Sequence, residues 1–489
     1  MLNIRFIIRM LGAMFLLETL FMLPAAGVAF FYDEADARPL LLSSAILFSA
    51  GLLFYLSGRR ADEQEAGYRE GMMVVALTWT LLSLFGMLPF YLGGYIDNIT
   101  DAYFETMSGF TTTGASVLRN VESLPHGILL WRSLTQWQGG IGVVVFTVAL
   151  LPLFGGGASQ MFDAETTGRG IAHERFRPRV TQVAKRLSGV YLLLTALLSA
   201  LLCMGPMEVF DAVNHALTTV STGGYSTKNA SVGYWHSSYT EYLISAFMLV
   251  GSVSMTLLYF FFRGNVRKLY ADEELRWFLL IILVSVGVTA AWIMSGSRAG
   301  EGVGVEESFR LSLFHVISII SSTGFATTDY LSWGSFFWFI ALILMFIGGC
   351  TGSTSGGLKV GRFIIIHKNL SNVFIRQMHP SAVLPVRMNR HVVSADNVYR
   401  CLAFTFVYMS LIVVGSLVLT CNGSDFDGAI GATLSAISNI GPGLGDHGPA
   451  GNYADMPGLS KWTLSFLMMV GRLEIFTVLT ILLPGFWKQ

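Results

Sequence analysis

The sequence has little charge for its length. Of its 489 residues 13% are charged, about half the share found in an ordinary soluble chain, and 53% are hydrophobic. Lys plus Arg (31) equal Asp plus Glu (31), so no basic excess favours binding to nucleic acid. Apolar stretches of about 20 residues, the length that crosses a bilayer, recur along the whole chain. The sequence therefore predicts a multi-pass membrane protein.

Motifs for the common kinds of enzyme chemistry are also missing. The four cysteines form no CxxC pair, which argues against a zinc site or a disulfide framework. The nine histidines include no HExxH spacing. The segment from Gly352 to Lys359 resembles a phosphate-binding loop only superficially, because Leu358 stands where the motif needs lysine. We therefore expect no enzymatic activity and no bound organic cofactor.

The apolar stretches predict ten crossings. They lie at residues 6–31, 39–57, 71–94, 129–155, 187–206, 239–262, 277–296, 333–367 (interrupted), 399–420 and 460–486. Four further half-apolar segments, too short to span about 30 Å of hydrocarbon, predict re-entrant helices at 102–113, 209–222, 308–323 and 427–440. The predicted fold class is an all-α polytopic membrane protein.

The distribution of basic residues predicts the orientation. With ten spans, 23 Lys and Arg residues fall on the side that holds both termini, and seven fall on the other side. Because basic loops are retained in the cytoplasm, both termini are predicted to be cytoplasmic. The opposite side carries eighteen acidic residues, which would concentrate cations there. Simple tolerance of acidic residues outside explains that bias equally well.

Internal repetition is the strongest signal. After an N-terminal hairpin, the pattern of span, re-entrant segment and span occurs four times, and each re-entrant segment ends in a polar turn with a glycine. Four such units can surround one axis. The predicted division is a hairpin at 1–70 and repeats at 71–186, 187–276, 277–396 and 397–489.

The polar turns predict a cation site built from backbone carbonyls. Non-helical backbone at membrane depth must be buried or line an aqueous path, and its carbonyls can then coordinate a cation. Glycine lets the chain turn without a Cβ in the way. An ordinary helix C-cap explains any one turn, but hardly four in matching positions. The candidate ligands are Thr112, Thr113, Gly114, Ser221, Thr222, Gly223, Ser322, Thr323, Gly324, Asn439, Ile440 and Gly441.

The interrupted span predicts a loop inside the membrane. The segment 348–357 contains five glycines, each of which costs a helix about 1 kcal/mol relative to alanine. Such a loop has to be buried or line a cavity, so we expect it across the pore, where it would act as a gate. Close helix packing of the GxxxG type is the alternative. The candidate gate residues are Gly348, Gly349, Cys350, Thr351, Gly352, Ser353, Thr354, Ser355, Gly356 and Gly357.

One arginine lies within the last predicted span. A charge at membrane depth costs roughly 2.5–3.5 kcal/mol on insertion scales, so Arg472 should face the interior and have a partner. Glu474, two residues on, points to a different helix face. Carbonyls or hydroxyls of the 348–357 loop are the expected partners, and an ion pair elsewhere in the bundle is the alternative.

These repeats, with their glycines, resemble the Trk, Ktr and HKT superfamily of potassium and sodium transporters over essentially the whole chain. The N-terminal hairpin and the fourth turn, 439–443, are most similar to the bacterial TrkH/TrkG uptake subunits. In plant relatives serine at the first filter glycine accompanies sodium selectivity and four glycines accompany potassium. The resemblance therefore implies potassium as the transported ion, and it implies that 348–357 and Arg472 form the gate.

The resemblance also implies partners and a location. Relatives of this kind pair as homodimers in the bacterial inner membrane and dock a cytoplasmic, nucleotide-binding TrkA ring. The basic connections 156–186 and 359–400 could serve such docking, or could simply contact anionic lipid. A sodium or mixed-cation transporter of the same fold remains an alternative. A membrane-embedded enzyme and a non-conducting scaffold are the alternatives from other classes.

Overall fold

The computed structural model describes residues 2–59, 67–150, 176–295 and 304–488. The protein is an all-α polytopic membrane protein in which a helical hairpin precedes four similar units around a central axis. Within these ranges six unbroken helices are long and apolar enough to cross a membrane, and two bent helix pairs bring the number to eight. The other two predicted spans correspond to the helix from His126 to Leu150 and to an interrupted helix pair.

The helices follow the predicted order. The hairpin is α1 (Ile4–Phe31) and α2 (Ala37–Ser57). The first repeat contains α3 (Tyr68–Gly86), α4 (Leu88–Leu92), α5 (Ile99–Phe110) and α6 (His126–Leu150). The second contains α7 (Phe176–Cys203), α8 (Val209–Val220), α9 (Ser238–Gly251), α10 (Met255–Phe262) and α11 (Arg267–Ala271).

The last two repeats continue the pattern. The third contains α12 (Glu273–Met294), α13 (Val305–Ile320), α14 (Ser335–Ile347) and α15 (Val360–Met378). The fourth contains α16 (Ala395–Cys421), α17 (Phe426–Ser438), α18 (Gly458–Arg472), α19 (Ile475–Leu482) and α20 (Pro484–Trp487). Single 3₁₀ turns lie at Ser231–Trp235, Tyr330–Trp333 and Gly445–His447.

The re-entrant helices α5, α8, α13 and α17 form the centre of the molecule. From residue 102 to residue 110 every position of α5 is buried, and α17 is almost as completely enclosed. The spanning helices instead expose an apolar face, as on α12 at Leu279, Leu280, Leu283 and Val284. A helix enclosed on all sides belongs to the interior, whereas an apolar exposed stripe suits contact with lipid.

The N-terminal hairpin is attached to the first repeat through polar contacts. Its turn supplies Asp36, whose buried carboxylate accepts a hydrogen bond from Ile128 N at 3.0 Å near the start of α6. Glu34 accepts another from His126 N at 2.7 Å. These carboxylates satisfy donors that a helix start leaves unpaired. Burial raises the pKa of the Asp36 carboxyl.

The spans predicted at 239–262 and 460–486 are not continuous helices, because each breaks in the middle. The axes of α9 and α10 differ by 107° and those of α18 and α19 by 118°. At the first break Cys350 N donates to Ser252 O at 3.0 Å, and Met255 N donates to Gly352 O at 3.1 Å. The 348–357 loop therefore supplies partners for backbone groups that leave the helical ladder at this break.

In the described residues, one small β-ladder departs from the helical pattern. β1 (Arg387–Met388) pairs antiparallel with β2 (His391–Val392) on the connection between the third and fourth repeats. Asn389 and Arg390 between them have φ of 49° and 68°. Two central residues with positive φ form a type I′ turn, whose twist matches paired strands.

Candidate functional site

All four re-entrant helices end in the same backbone motif. In the first, Thr112 N donates to Gly109 O at 2.9 Å and Thr113 N donates to Ser108 O at 2.8 Å. This pair of bonds is the Schellman motif, which requires a left-handed residue just after the helix. The left-handed residues are Thr112, Thr222, Ser322 and Asn439, with φ of 53°, 54°, 55° and 55°. The turns are thus C-caps, but the left-handed position is not the glycine.

A glycine with positive φ stands two residues after each left-handed residue. Gly114, Gly224, Gly324 and Gly441 occupy this position with φ of 85°, 80°, 80° and 97°. By backbone conformation Gly224 is therefore the second-repeat equivalent of Gly114, Gly324 and Gly441, and the predicted Gly223 precedes it by one residue. Gly223 occupies the position equivalent to Thr113, Thr323 and Ile440 in the other repeats. Those residues carry side chains, so the backbone conformation at this position does not require glycine.

The four glycines form a closed ring with backbone carbonyls of the neighbouring repeats. A Cβ on Gly114 would lie 2.2 Å from Gly223 O, and one on Gly224 would lie 1.8 Å from Thr323 O. A Cβ on Gly324 would lie 1.9 Å from Ile440 O. A Cβ on Gly441 would lie 2.7 Å from Thr113 O, and this fourth approach closes the ring. Only glycine lets four backbones approach so closely.

The left-handed residues link the ring to its surroundings. A non-glycine residue in this conformation costs about 1–3 kcal/mol, so other contacts have to stabilise it. Asn439 donates to Thr113 Oγ1 at 3.0 Å, across the boundary between repeats four and one. Thr222 donates to Thr354 Oγ1 at 3.2 Å, and Ser322 Oγ accepts from Gly356 N at 2.7 Å. Two of the four therefore contact the intramembrane loop.

Gln136 holds the second turn. Its Nε2 donates to Gly223 O at 2.6 Å and its Oε1 accepts from Tyr225 N at 3.0 Å. The side chain is fully buried on α6. Gln136 thereby connects α6 to the second turn and braces the ring.

A buried ion pair lies behind the first two turns, and no sequence motif marks it. Arg132 Nε donates to Glu105 Oε1 at 2.7 Å, and the guanidinium lies 3.5 Å from the ring centroid of Tyr225. Glu105 also accepts from Val117 N at 2.9 Å, while Arg132 donates to Ser226 O at 3.0 Å. The pair thus connects the segments that follow the first and second turns.

Replacing Arg132 by leucine should lower stability strongly. The change leaves the Glu105 carboxylate buried without its charged partner, which costs about 3–5 kcal/mol. Arg119→Ala is the matched control, because its pair with Asp455 is largely exposed and worth about 0–1 kcal/mol. Thermal unfolding in detergent measures both. Equal melting temperatures for the two variants would contradict the bracing role of Arg132.

A cavity of about 150 Å³ opens at the ring. Its lining includes the four ring glycines, Gly114, Gly224, Gly324 and Gly441, and does not include Gly223. Arg119 and Lys228 also line it. Arg119 pairs there with Asp455, and Lys228 pairs with Asp211. The cavity therefore reaches the glycines assigned by backbone conformation.

The break between α14 and α15 runs from Gly348 to Lys359, two residues beyond the predicted loop at 348–357. Gly348, Gly352 and Gly357 have positive φ, so three of its five glycines allow backbone conformations that other residues rarely adopt. Gly356 serves close packing, because a Cβ there would lie 1.9 Å from Ser438 O in the fourth repeat. Thr354 donates to Gly251 O at 3.1 Å at the break of the second repeat. The loop therefore contacts several repeats directly below the turns.

Arg472 contacts the loop, and the expected partner is confirmed. Its guanidinium donates to Thr354 O at 2.5 Å and to Gly139 O at 3.1 Å on α6. The residue ends α18 at the break, so it does not lie inside a continuous helix as its place in the predicted span implied. Glu474 pairs with Arg362 at 2.6 Å. Arg472 thus bonds one loop carbonyl and one carbonyl of the first repeat.

Comparison with known proteins agrees with this architecture. The family model described as TrkH, cation transport protein, matches residues 42–485. The Trk system potassium uptake protein TrkH of Halomonas elongata is 34% identical over 100% of both chains, and that of Escherichia coli K12 is 33% identical over 100% of both.

A solved structure gives the same result. The crystal structure of the potassium transporter TrkH from Vibrio parahaemolyticus matches with a TM-score of 0.90 and 33% identity over 100% of both chains. The family model covers most of the sequence, and the identity extends over whole chains. The chain therefore belongs to the TrkH family of cation transport proteins.

Proposed function

We propose that this protein carries potassium into the cell through the ring formed by the four turns. The closed circle of glycines against carbonyls is the observation that supports this most strongly. Backbone oxygens can replace the hydration shell of a monovalent cation. The C-terminal ends of α5, α8, α13 and α17 meet at the same place, and their partial negative charge favours a cation. The relatives are potassium uptake proteins by name.

The candidate ligands are the three residues that end each turn. With the register set by backbone conformation, they are Thr112, Thr113, Gly114, Thr222, Gly223, Gly224, Ser322, Thr323, Gly324, Asn439, Ile440 and Gly441. Ser221 then precedes the filter rather than forming part of it.

The intramembrane loop and Arg472 form the proposed gate. Segment 348–357 lies directly below the ring, held by Thr222, Ser322 and Arg472. A fixed positive charge in the path raises the barrier for cations, since two like charges repel strongly where little water screens them. Displacement of the loop would have to break these bonds. Passage therefore depends on where the loop lies.

The proposed organisation places five units in the membrane. The hairpin at 1–70 precedes repeats at 71–186, 187–276, 277–396 and 397–489, in the bacterial inner membrane with both termini cytoplasmic. Basic residues of the connection 359–400 offer a surface for a TrkA-like nucleotide-binding ring, and the protein forms a homodimer. Of the other basic connection, 156–186, the part up to residue 175 lies outside the described residues.

Flux into liposomes that carry the purified protein tests this function. We expect potassium to enter along its gradient, sodium to enter more slowly, and chloride to stay out. Deletion of 350–356 should raise the potassium flux, because it removes the loop from the path. If neither the unmodified protein nor the 350–356 deletion carries potassium, whether or not a TrkA-like subunit is added, the proposal is contradicted.

A sodium or mixed-cation transporter is the second candidate, since ring geometry alone does not choose between cations of equal charge. The discriminating position is Gly114. Gly114→Ser should lower the ratio of potassium to sodium flux, because its Cβ would meet Gly223 O. If the unmodified protein already carries both ions at equal rates, the mixed-cation function is correct.

A further inference from the structure

The buried carboxylate of Glu274 contacts both the intramembrane loop and the start of α15. Glu274 is the second residue of α12 and only 9% exposed. Its Oε1 accepts three hydrogen bonds: from Thr351 N at 2.6 Å, from Thr351 Oγ1 at 2.8 Å and from Gly361 N at 2.8 Å. One carboxylate oxygen therefore holds three donors.

These donors come from both ends of the break. Thr351 lies in the first half of the loop, whereas Gly361 is in the first turn of α15. A helix start leaves amide groups unpaired and attracts negative charge, so the carboxylate caps α15 from a different helix. The same oxygen ties Thr351 to that cap. Glu274 thereby holds the first half of the loop against the start of α15.

The surroundings of the carboxylate leave room for these contacts and little else. A Cβ on Gly361 would lie 2.6 Å from Thr351 Oγ1 and 3.1 Å from Glu274 Oε1. Alanine at position 361 would therefore push hydroxyl and carboxylate apart. The adjacent Glu273 points elsewhere, because its carboxylate accepts from Asn389 N at 3.1 Å and pairs with Lys368.

We propose that Glu274 is the positioning residue that holds the intramembrane loop across the ion path. The inference rests on the proposed gate and names the group that fixes the loop from below, as Arg472 fixes it from the fourth repeat. Bonds to a charged acceptor are roughly twice as strong as neutral ones, so removal of this carboxylate frees the loop more than loss of any single loop hydroxyl.

Cys350, next to Thr351, provides a direct probe of loop position. It is 1% exposed, and the other cysteines are Cys203, Cys401 and Cys421. Serine at those three positions leaves Cys350 as the single thiol. Its modification by a small, water-soluble methanethiosulfonate in proteoliposomes, followed by intact mass, reports loop opening. Potassium flux is measured on the same samples.

In Glu274→Ala we expect Cys350 modification and potassium flux to rise together, each at least about tenfold. Glu274→Gln, which keeps an acceptor oxygen, should fall between. Glu273→Ala is the matched control, since it removes a carboxylate from the same helix turn without a loop contact. Thr351→Val loses only one donor and keeps the charge, so it tests the same site with little risk to folding, and it should give a smaller rise.

The outcomes separate this inference from the proposed gate. If Glu274→Ala and Thr351→Val modify and conduct like Glu273→Ala while Arg472→Ala raises flux, the assignment of Glu274 is wrong and the gate stands. If Cys350 becomes accessible in Glu274→Ala but flux is unchanged, Glu274 positions the loop and the gate is wrong.

Discussion

Gly224→Ala should abolish selective potassium flux. Gly224 has φ of 80°, a backbone conformation that residues with a side chain rarely adopt, and the added Cβ would lie 1.8 Å from Thr323 O. That oxygen belongs to the backbone of the next repeat, so it can move only if the ring itself opens. Strain of about 1–3 kcal/mol adds to the clash. We expect at least a tenfold loss in the potassium-to-sodium flux ratio, or loss of flux altogether.

Gly223→Ala is the matched control, one residue away. Here the Cβ would lie 2.4 Å from the amide of Gln136, which would have to move and loosen its bonds to the second turn, but the backbone does not need glycine. The equivalent positions in other repeats carry threonine and isoleucine. This variant should therefore lower flux but lose less selectivity than Gly224→Ala. Greater damage from Gly223→Ala than from Gly224→Ala would show that the register assigned to the second repeat is incorrect.

Arg472→Ala should raise potassium flux. The change removes a positive charge from below the ring and two bonds, to Thr354 O and Gly139 O. Bonds made by a charged group contribute about 1.5–3 kcal/mol each, so loss of one shifts the loop equilibrium by roughly tenfold or more. Liposome flux without a regulatory subunit measures the effect directly.

Arg472→Lys separates the charge from the bonds. Lysine keeps the charge but replaces the planar fork with a single ammonium, which cannot reproduce two divergent contacts. We expect flux between that of the unmodified protein and that of Arg472→Ala. Unchanged flux in Arg472→Ala, with normal expression and melting temperature, would mean that this residue has a structural role only.

The repeats and the interrupted span were predictable because both are local signals. Periodic apolar runs define the spans, and five glycines in 348–357 rule out a helix whatever surrounds them. The register of the second turn was not predictable from the Thr-Gly pair, since two glycines stand side by side. Counting from the end of the helix would have identified Gly224, but that end was uncertain by more than the one residue at issue.

The bends could not be predicted because their cause is distant in sequence. α9 breaks where Cys350 and Gly352 from another repeat supply backbone partners. The local signal, Gly251 beside Ser252, is compatible with a kink but does not predict a bend of 107°. Glu105 and Arg132 are separated in the same way, and each reads as an ordinary charge beside a span. A carboxylate such as Glu274, at the start of an apolar helix, looks like a simple first-turn acid.

The most direct test of the central claim is to locate the ion. Thallium(I) resembles potassium in size and charge and scatters anomalously, so crystals of the protein grown in its presence report bound sites. We expect an anomalous peak on the axis of the ring formed by Gly114, Gly224, Gly324 and Gly441. A well-ordered ring without a peak, with thallium bound only elsewhere, would contradict the account.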